Sequence, residues 1–295
     1  MCRGVLALAL LGLCLGALPR AEAQSTAQVG QTVFAVTASN KLVQFNSAAP
    51  GMITGQATVS GLQAGEAVVG IDFRPATGKL VALGSTNRLY ALDASSGAAT
   101  LIGTQPFTST VLGSAIGFDF NPMVDRIRLV SGTGVNLRLN PNTGALAALD
   151  TKLAYAAGDA NVGKTPGAAA AAYTNNISGT ASTQLYLLDA TQDVLVKQGA
   201  AGPPPVSPNS GQLFTVGALG VDIGPRASFD IAQEGTAYVT YAAVGDTTSK
   251  FGTLDLATGK VIEVGAIAAG ELVTGIAAQA SAPPRARIFL PIVAR

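Results

Sequence analysis

The chain contains no histidine, no tryptophan and only two cysteines in 295 residues. Without histidine there is no Ser-His-Asp triad and no imidazole to carry protons near neutral pH. The same lack, with cysteine so scarce, excludes ordinary zinc and copper sites. One metal class remains, the hard ions ligated by oxygen, of which calcium is the type case. Acid–base chemistry would fall to Asp, Glu, Lys or Tyr. No Gly-x-Ser-x-Gly nucleophile motif occurs. Charge is scarce too, at 12% of residues.

Both cysteines, Cys2 and Cys14, fall in a leader-like start. Arg3 supplies a positive residue, and Val5 to Leu18 is an apolar run of 14 residues. Pro19-Arg20 breaks the run, and Ala21-Glu22-Ala23 offers small residues where a signal peptidase cuts. Cleavage is expected after Ala23. The run is too short to span about 30 Å of hydrocarbon, so no membrane span is expected. Leu13, before Cys14, is too large for a lipoprotein signal. The expected location is therefore outside the cell or at its surface. A disulfide-free exported chain of this length can bury a core large enough to need no staple. Of 18 basic and 17 acidic residues, the leader takes Arg3, Arg20 and Glu22, so 16 of each remain. A neutral chain is not expected to bind nucleic acid, nor an anionic membrane surface.

What the sequence does have is repetition. Gly70-Ile71-Asp72-Phe73-Arg74-Pro75 is echoed by Gly117-Phe118-Asp119-Phe120-Asn121-Pro122, with the aspartates 47 residues apart. Ser228-Phe229-Asp230-Ile231 is a third relative. A second signature is an apolar residue followed by Asp or Asn and a small-residue turn. Its copies are Phe45-Asn46, Leu92-Asp93, Leu139-Asn140, Leu188-Asp189 and Leu254-Asp255, with gaps of 47, 47, 49 and 66 residues. The acid or amide accepts from N–H groups two residues on, and a following glycine closes the turn. These residues are expected to be turn formers.

Five units of about 47 residues, each with room for four short strands, predict an all-β fold, a β-propeller of five four-stranded blades. Six blades is the alternative. Val33–Val36 and Lys41–Phe45 lack a first strand, and Gly275–Ala278 resembles a first strand alone. Joining them would close the ring and remove exposed edges. In the degenerate middle unit, Ala169–Thr174 is read as a second strand. The expected domains are a leader at 1–23, a propeller at 24–280, and a Pro-rich linker with an apolar tail at 281–295.

Asp72, Asp119 and Asp230 are the candidate binding residues. First strands line a propeller's channel, so the three could face one another, holding calcium or polarising a substrate. The plainer reading is a buried, hydrogen-bonded acid that fixes its blade. Gly158-Asp159-Ala160-Asn161-Val162-Gly163-Lys164-Thr165 matches the P-loop pattern, but Pro166-Gly167 follows where a helix is needed. Nucleotide binding is not expected.

Gly117–Gly144, Ala170–Asp189 and Phe214–Asp222 are together similar to the core of a bacterial exported family known as a domain of unknown function. The resemblance implies a propeller fold akin to WD-repeat propellers and supplies no catalytic residues. Gly202–Pro208 looks longer than the family's corresponding loop. The leading expectation is a secreted or cell-surface binding or scaffold module for a protein or small-molecule ligand. It names no catalytic residues and requires no cofactor, with calcium as the one exception. The alternatives are a hydrolase or lyase using channel carboxylates, and a cell-envelope component held through its tail.

Overall fold

A computed structural model describes Met1 and residues 30–109, 113 and 115–280. The expected cleavage site and the tail at 281–295 lie outside the described residues. Blade I contains β1 (Thr32–Thr37), β2 (Lys41–Asn46) and β3 (Ala49–Thr58). Blade II is β4 (Val68–Arg74), β5 (Lys79–Gly84), β6 (Arg88–Leu92) and β7 (Ala99–Ile102). Blade III is β8 (Ile116–Asn121), β9 (Arg126–Ser131), β10 (Asn136–Leu139) and β11 (Leu146–Leu149). Blade IV follows a short β12 (Ala154–Tyr155) with β13 (Ala168–Tyr173), β14 (Leu185–Asp189), β15 (Val194–Gln198) and β16 (Gln212–Ala218). Blade V is β17 (Ser228–Ile231), β18 (Ala237–Tyr241), β19 (Lys250–Leu254) and β20 (Val261–Ala266). The last described strand, β21 (Val273–Ala278), pairs antiparallel with β1 and completes blade I.

The strands within each blade are antiparallel neighbours, consecutive in blades II to V and joined from both ends of the described chain in blade I. Strand β12 adds a parallel edge to blade IV. The five first strands β21, β4, β8, β13 and β17 pack side by side around the axis. The fold is the five-bladed propeller the repeats predict. The core lies between blades, because every sheet buries both faces against its neighbours. One apolar cluster sits at each of the five interfaces. Phe34 of blade I meets Phe73 of blade II edge-on at 5.6 Å, and Phe45 meets Phe251 of blade V at 5.1 Å. Edge-to-face pairs of this kind contribute about 1 kcal/mol beyond area burial.

The turn residues behave as their chemistry requires. Asp93 Oδ1 accepts from the N–H groups of Ser95 and Ser96, and Gly97 takes φ 74°. Asn46, Asn140 and Asp255 do the same for Ala48, Asn142 and Ala257.

The middle unit is corrected. Ala168–Tyr173 is the first strand of blade IV, not its second, and Leu188-Asp189 ends the second strand rather than the third. Asp189 still builds its turn, accepting from Thr191 and Gln192. Turn chemistry is local and is the same after any strand, so it could not reveal the slip. The true end of the third strand is Gln198, 58 residues after Asn140 and 57 before Asp255. The uneven gaps of 49 and 66 came from this misplacement.

Candidate functional site at the propeller axis

Asp72, Asp119 and Asp230 stand on β4, β8 and β17, and the structure brings all three together. One carboxylate oxygen of each lies within 4.8 Å of the others. All three side chains are buried, at most 2% exposed. Alternation places them on one face of their strands and their aromatic neighbours on the other. Phe118 and Phe120 pack back onto blade II, while Asp119 faces forward to blade IV.

Each aspartate reaches the next blade around the ring. Asp72 Oδ2 accepts from the Phe120 N–H at 2.9 Å, Asp119 Oδ1 from Tyr173 at 3.1 Å, and Asp230 Oδ2 from Ala278 at 2.6 Å. At the same level, β13 and β21 carry Ala172 and Ala277, which accept nothing. The backbone N–H groups of Phe73 and Ile231 act to lower the pKa values of Asp72 and Asp230, against the rise from burial. Each of the three carboxylates thus satisfies one inward-facing N–H of the next blade.

Two residues earlier, each first strand carries a small residue: Gly70, Gly117, Ala170, Ser228 and Gly275. A Cβ on Gly117 would lie 2.7 Å from Val130 and 2.8 Å from the Ala170 backbone. One on Gly275 would lie 2.9 Å from the Ile71 nitrogen. Glycine is needed here for close approach of the strands. The channel narrows to a cavity of about 20 Å³, room for about one water molecule. Beyond the aspartates, the first strands end at a wider mouth of about 390 Å³, lined by Phe73, Pro75, Asn176, Ile177, Gln233 and Gln279.

Burial raises all three carboxyl pKa values, because the low-dielectric axis disfavours charge. Mutual repulsion adds to this: Asp230 pushes Asp72 up, and both push Asp119 up. The N–H bonds oppose the rise, and Asp230 settles at about 6. Among the described residues, the charges acting on the triad are its own members and Glu234, all negative. Such a cluster holds either protons or a cation.

Other buried polar groups went unforeseen. Arg128, 1% exposed, donates to Asn136, Asp150 and Asn209, each at 2.6 Å. Asn136 and Gln198 in turn donate to the Pro208 carbonyl, so the Pro-rich loop is strapped to the junction of blades III and IV. Glu66, buried before β4, accepts from Thr86 and Tyr90, and these bonds hold its pKa below the usual value against the opposing effect of burial. The only sequence signal for Arg128 was a charged residue inside an apolar strand.

The P-loop-like segment lies in turns between β12 and β13, with no helix after it. Lys164 Nζ donates to Asn161 Oδ1 at 2.9 Å, and Asp159 accepts from the N–H and hydroxyl of Thr215. This is a loop tethered to β16. Among the described residues, no helix is long and apolar enough to cross a membrane.

Comparison with known proteins gives one family match. Residues 41–277 match the family described as Domain of unknown function (DUF4394). No curated protein matches the chain. Among solved structures, Kuenenia stuttgartiensis hydrazine synthase aligns over 70% of this chain and 53% of its own, at 13% identity and TM-score 0.38. The Dos1 propeller aligns over 79% of this chain and 60% of its own, at 12% identity and TM-score 0.37. The chain therefore spans little more than half the length of these two structures.

Proposed function

The chain belongs to the DUF4394 family, and from that premise we propose that it is an exported binding or scaffold propeller whose recognition site is the wide axial mouth. The observation that carries this reading is the mouth itself. Residues from blades I, II, IV and V line it, and Arg74 at its wall is tied to Asp125 of blade III. At about 390 Å³ it falls within the size range of small-ligand sites. Its lining mixes apolar Phe73 and Ile177 with the amides of Asn176, Gln233 and Gln279. Asn176 Oδ1 is buried with no partner among the described residues. With Arg74 already paired, the site suits a neutral ligand or peptide segment carrying N–H or O–H donors.

The hydrolase or lyase reading has weaker support, because the only carboxylate cluster among the described residues is buried below the reach of a substrate. Export rests on the leader, and protein recovered from the medium is expected to begin at Gln24. The tail offers a route to the cell envelope.

Thermal-shift profiling against neutral saccharides, amino acids and short peptides tests the binding reading. At least one should stabilise the protein, and Ile177→Glu, which puts charge at the exposed lip of the mouth, should abolish that shift. Turnover of a substrate that is lost in Asp119→Asn would replace binding with catalysis.

A further inference from the structure

The geometry points to a single calcium ion held on the propeller axis by Asp72, Asp119 and Asp230, acting as a structural lock on the ring. This inference goes beyond the binding role of the mouth and does not depend on it. Three observations meet here. The three carboxylates converge to within 4.8 Å. Ligand oxygens lie 2.3–2.6 Å from calcium, so two ligands of one ion are at most about 5 Å apart, and the cluster fits that limit. Magnesium, at 2.0–2.1 Å, demands a tighter, regular octahedron.

Secondly, the triad has spare acceptors. Asp72 and Asp230 each spend Oδ2 on the next blade, and their Oδ1 atoms are buried without a partner among the described residues. A buried acceptor left unmatched is costly, and more so when charged. Thirdly, the Ser228 hydroxyl, 94% buried and equally unpartnered, lines the cavity two residues before Asp230 on the same face of β17. That cavity has room for about one water, which can add a further oxygen ligand. The ligands are all hard oxygens, and the chain has no histidine to offer a softer metal.

Calcium also resolves the electrostatics. Three negative charges with no basic group acting on them among the described residues become a site of net charge −1 when the ion binds. Because the aspartates sit on blades II, III and V, one ion would cross-link three of the five blades at their inner edges.

The test uses protein unfolded in urea with chelator and refolded with calcium chloride, with magnesium chloride or with neither. Refolding removes any ion trapped during expression. The expected result is one calcium per chain by elemental analysis and a rise in Tm of roughly 10 °C at calcium 1,000-fold above Kd. Magnesium should give little shift. Asp119→Asn and Asp72→Asn should each remove the calcium-dependent rise while still folding, since asparagine retains a carbonyl oxygen for the Tyr173 or Phe120 N–H. Equal Tm with and without calcium, and no bound ion, would overturn the site and leave a proton-sharing structural cluster.

Discussion

Asp230→Asn is expected to stabilise the metal-free protein at pH 8 by roughly 3 kcal/mol more than it does at pH 4. The cause is the carboxyl's position on the axis, where burial raises its pKa from 3.8 to about 6. The folded chain then holds a proton that the unfolded chain releases. Stability from this group is full below about pH 4 and is lost as pH rises through about 6. Asparagine stays neutral throughout, keeps an acceptor for the Ala278 N–H, and gains an NH₂ that can donate to the neighbouring carboxylates. It also relieves Asp72, whose pKa Asp230 pushes up. Asp150 and Glu66, whose pKa values are lowered, weaken the fold in acid, but they do so equally in both proteins. Urea unfolding of both proteins between pH 4 and 8, in chelator, reads the difference. A pH-independent difference would show that Asp230 titrates alike in the folded and unfolded chains.

The largest loss is expected from removing β21. A chain ending at Leu272 should show no cooperative unfolding transition, whereas one ending at Ala280 should unfold like the full chain. Val273, Ile276 and Ala277 are at most 2% exposed and pack into the interfaces that blade I makes with blades V and II. Burying a Val or Ile side chain contributes about 1.5–3 kcal/mol each. Loss of the strand also strips β1 of its ladder partner and Asp230 of the Ala278 N–H. Together these losses rival the 5–15 kcal/mol total stability typical of a domain. A peptide of residues 273–280 added in trans should restore part of the transition, since the vacated edge of β1 is a template for strand addition. Near-native unfolding of the shorter chain would mean that the ring does not depend on this closure.

The blades were legible because the chain repeats both a turn chemistry and an axial aspartate at a steady interval. Asp72 and Asp119 also announced their own convergence, since equivalent positions on first strands share a height in the channel. Blade IV was misread because Ala172 stands where the repeat has aspartate. With the marker gone, five consecutive alanines gave no alternation by which to place the strand. The Arg128 strap could not be read at all. Its partners lie 8, 22 and 81 residues away, and only the folded ring brings Asn136, Asp150 and Asn209 to one guanidinium. Glu66 was hidden for the same reason, its partners Thr86 and Tyr90 belonging to a later turn and strand. The axial glycines were visible as repeat letters, but their purpose emerged only from how closely the neighbouring first strands approach.

The convergence of three buried acids on the axis is tested most directly by carbon-13 NMR of the aspartate carboxyls in chelated protein, followed through pH. Three resonances should titrate well above the ordinary aspartate range and in a coupled manner, with one midpoint near pH 6. In Asp119→Asn the Asp119 signal should vanish and the two that remain, from Asp72 and Asp230, should both shift. Three independent titrations near pH 4, each indifferent to the others, would place the carboxylates in water and apart from one another.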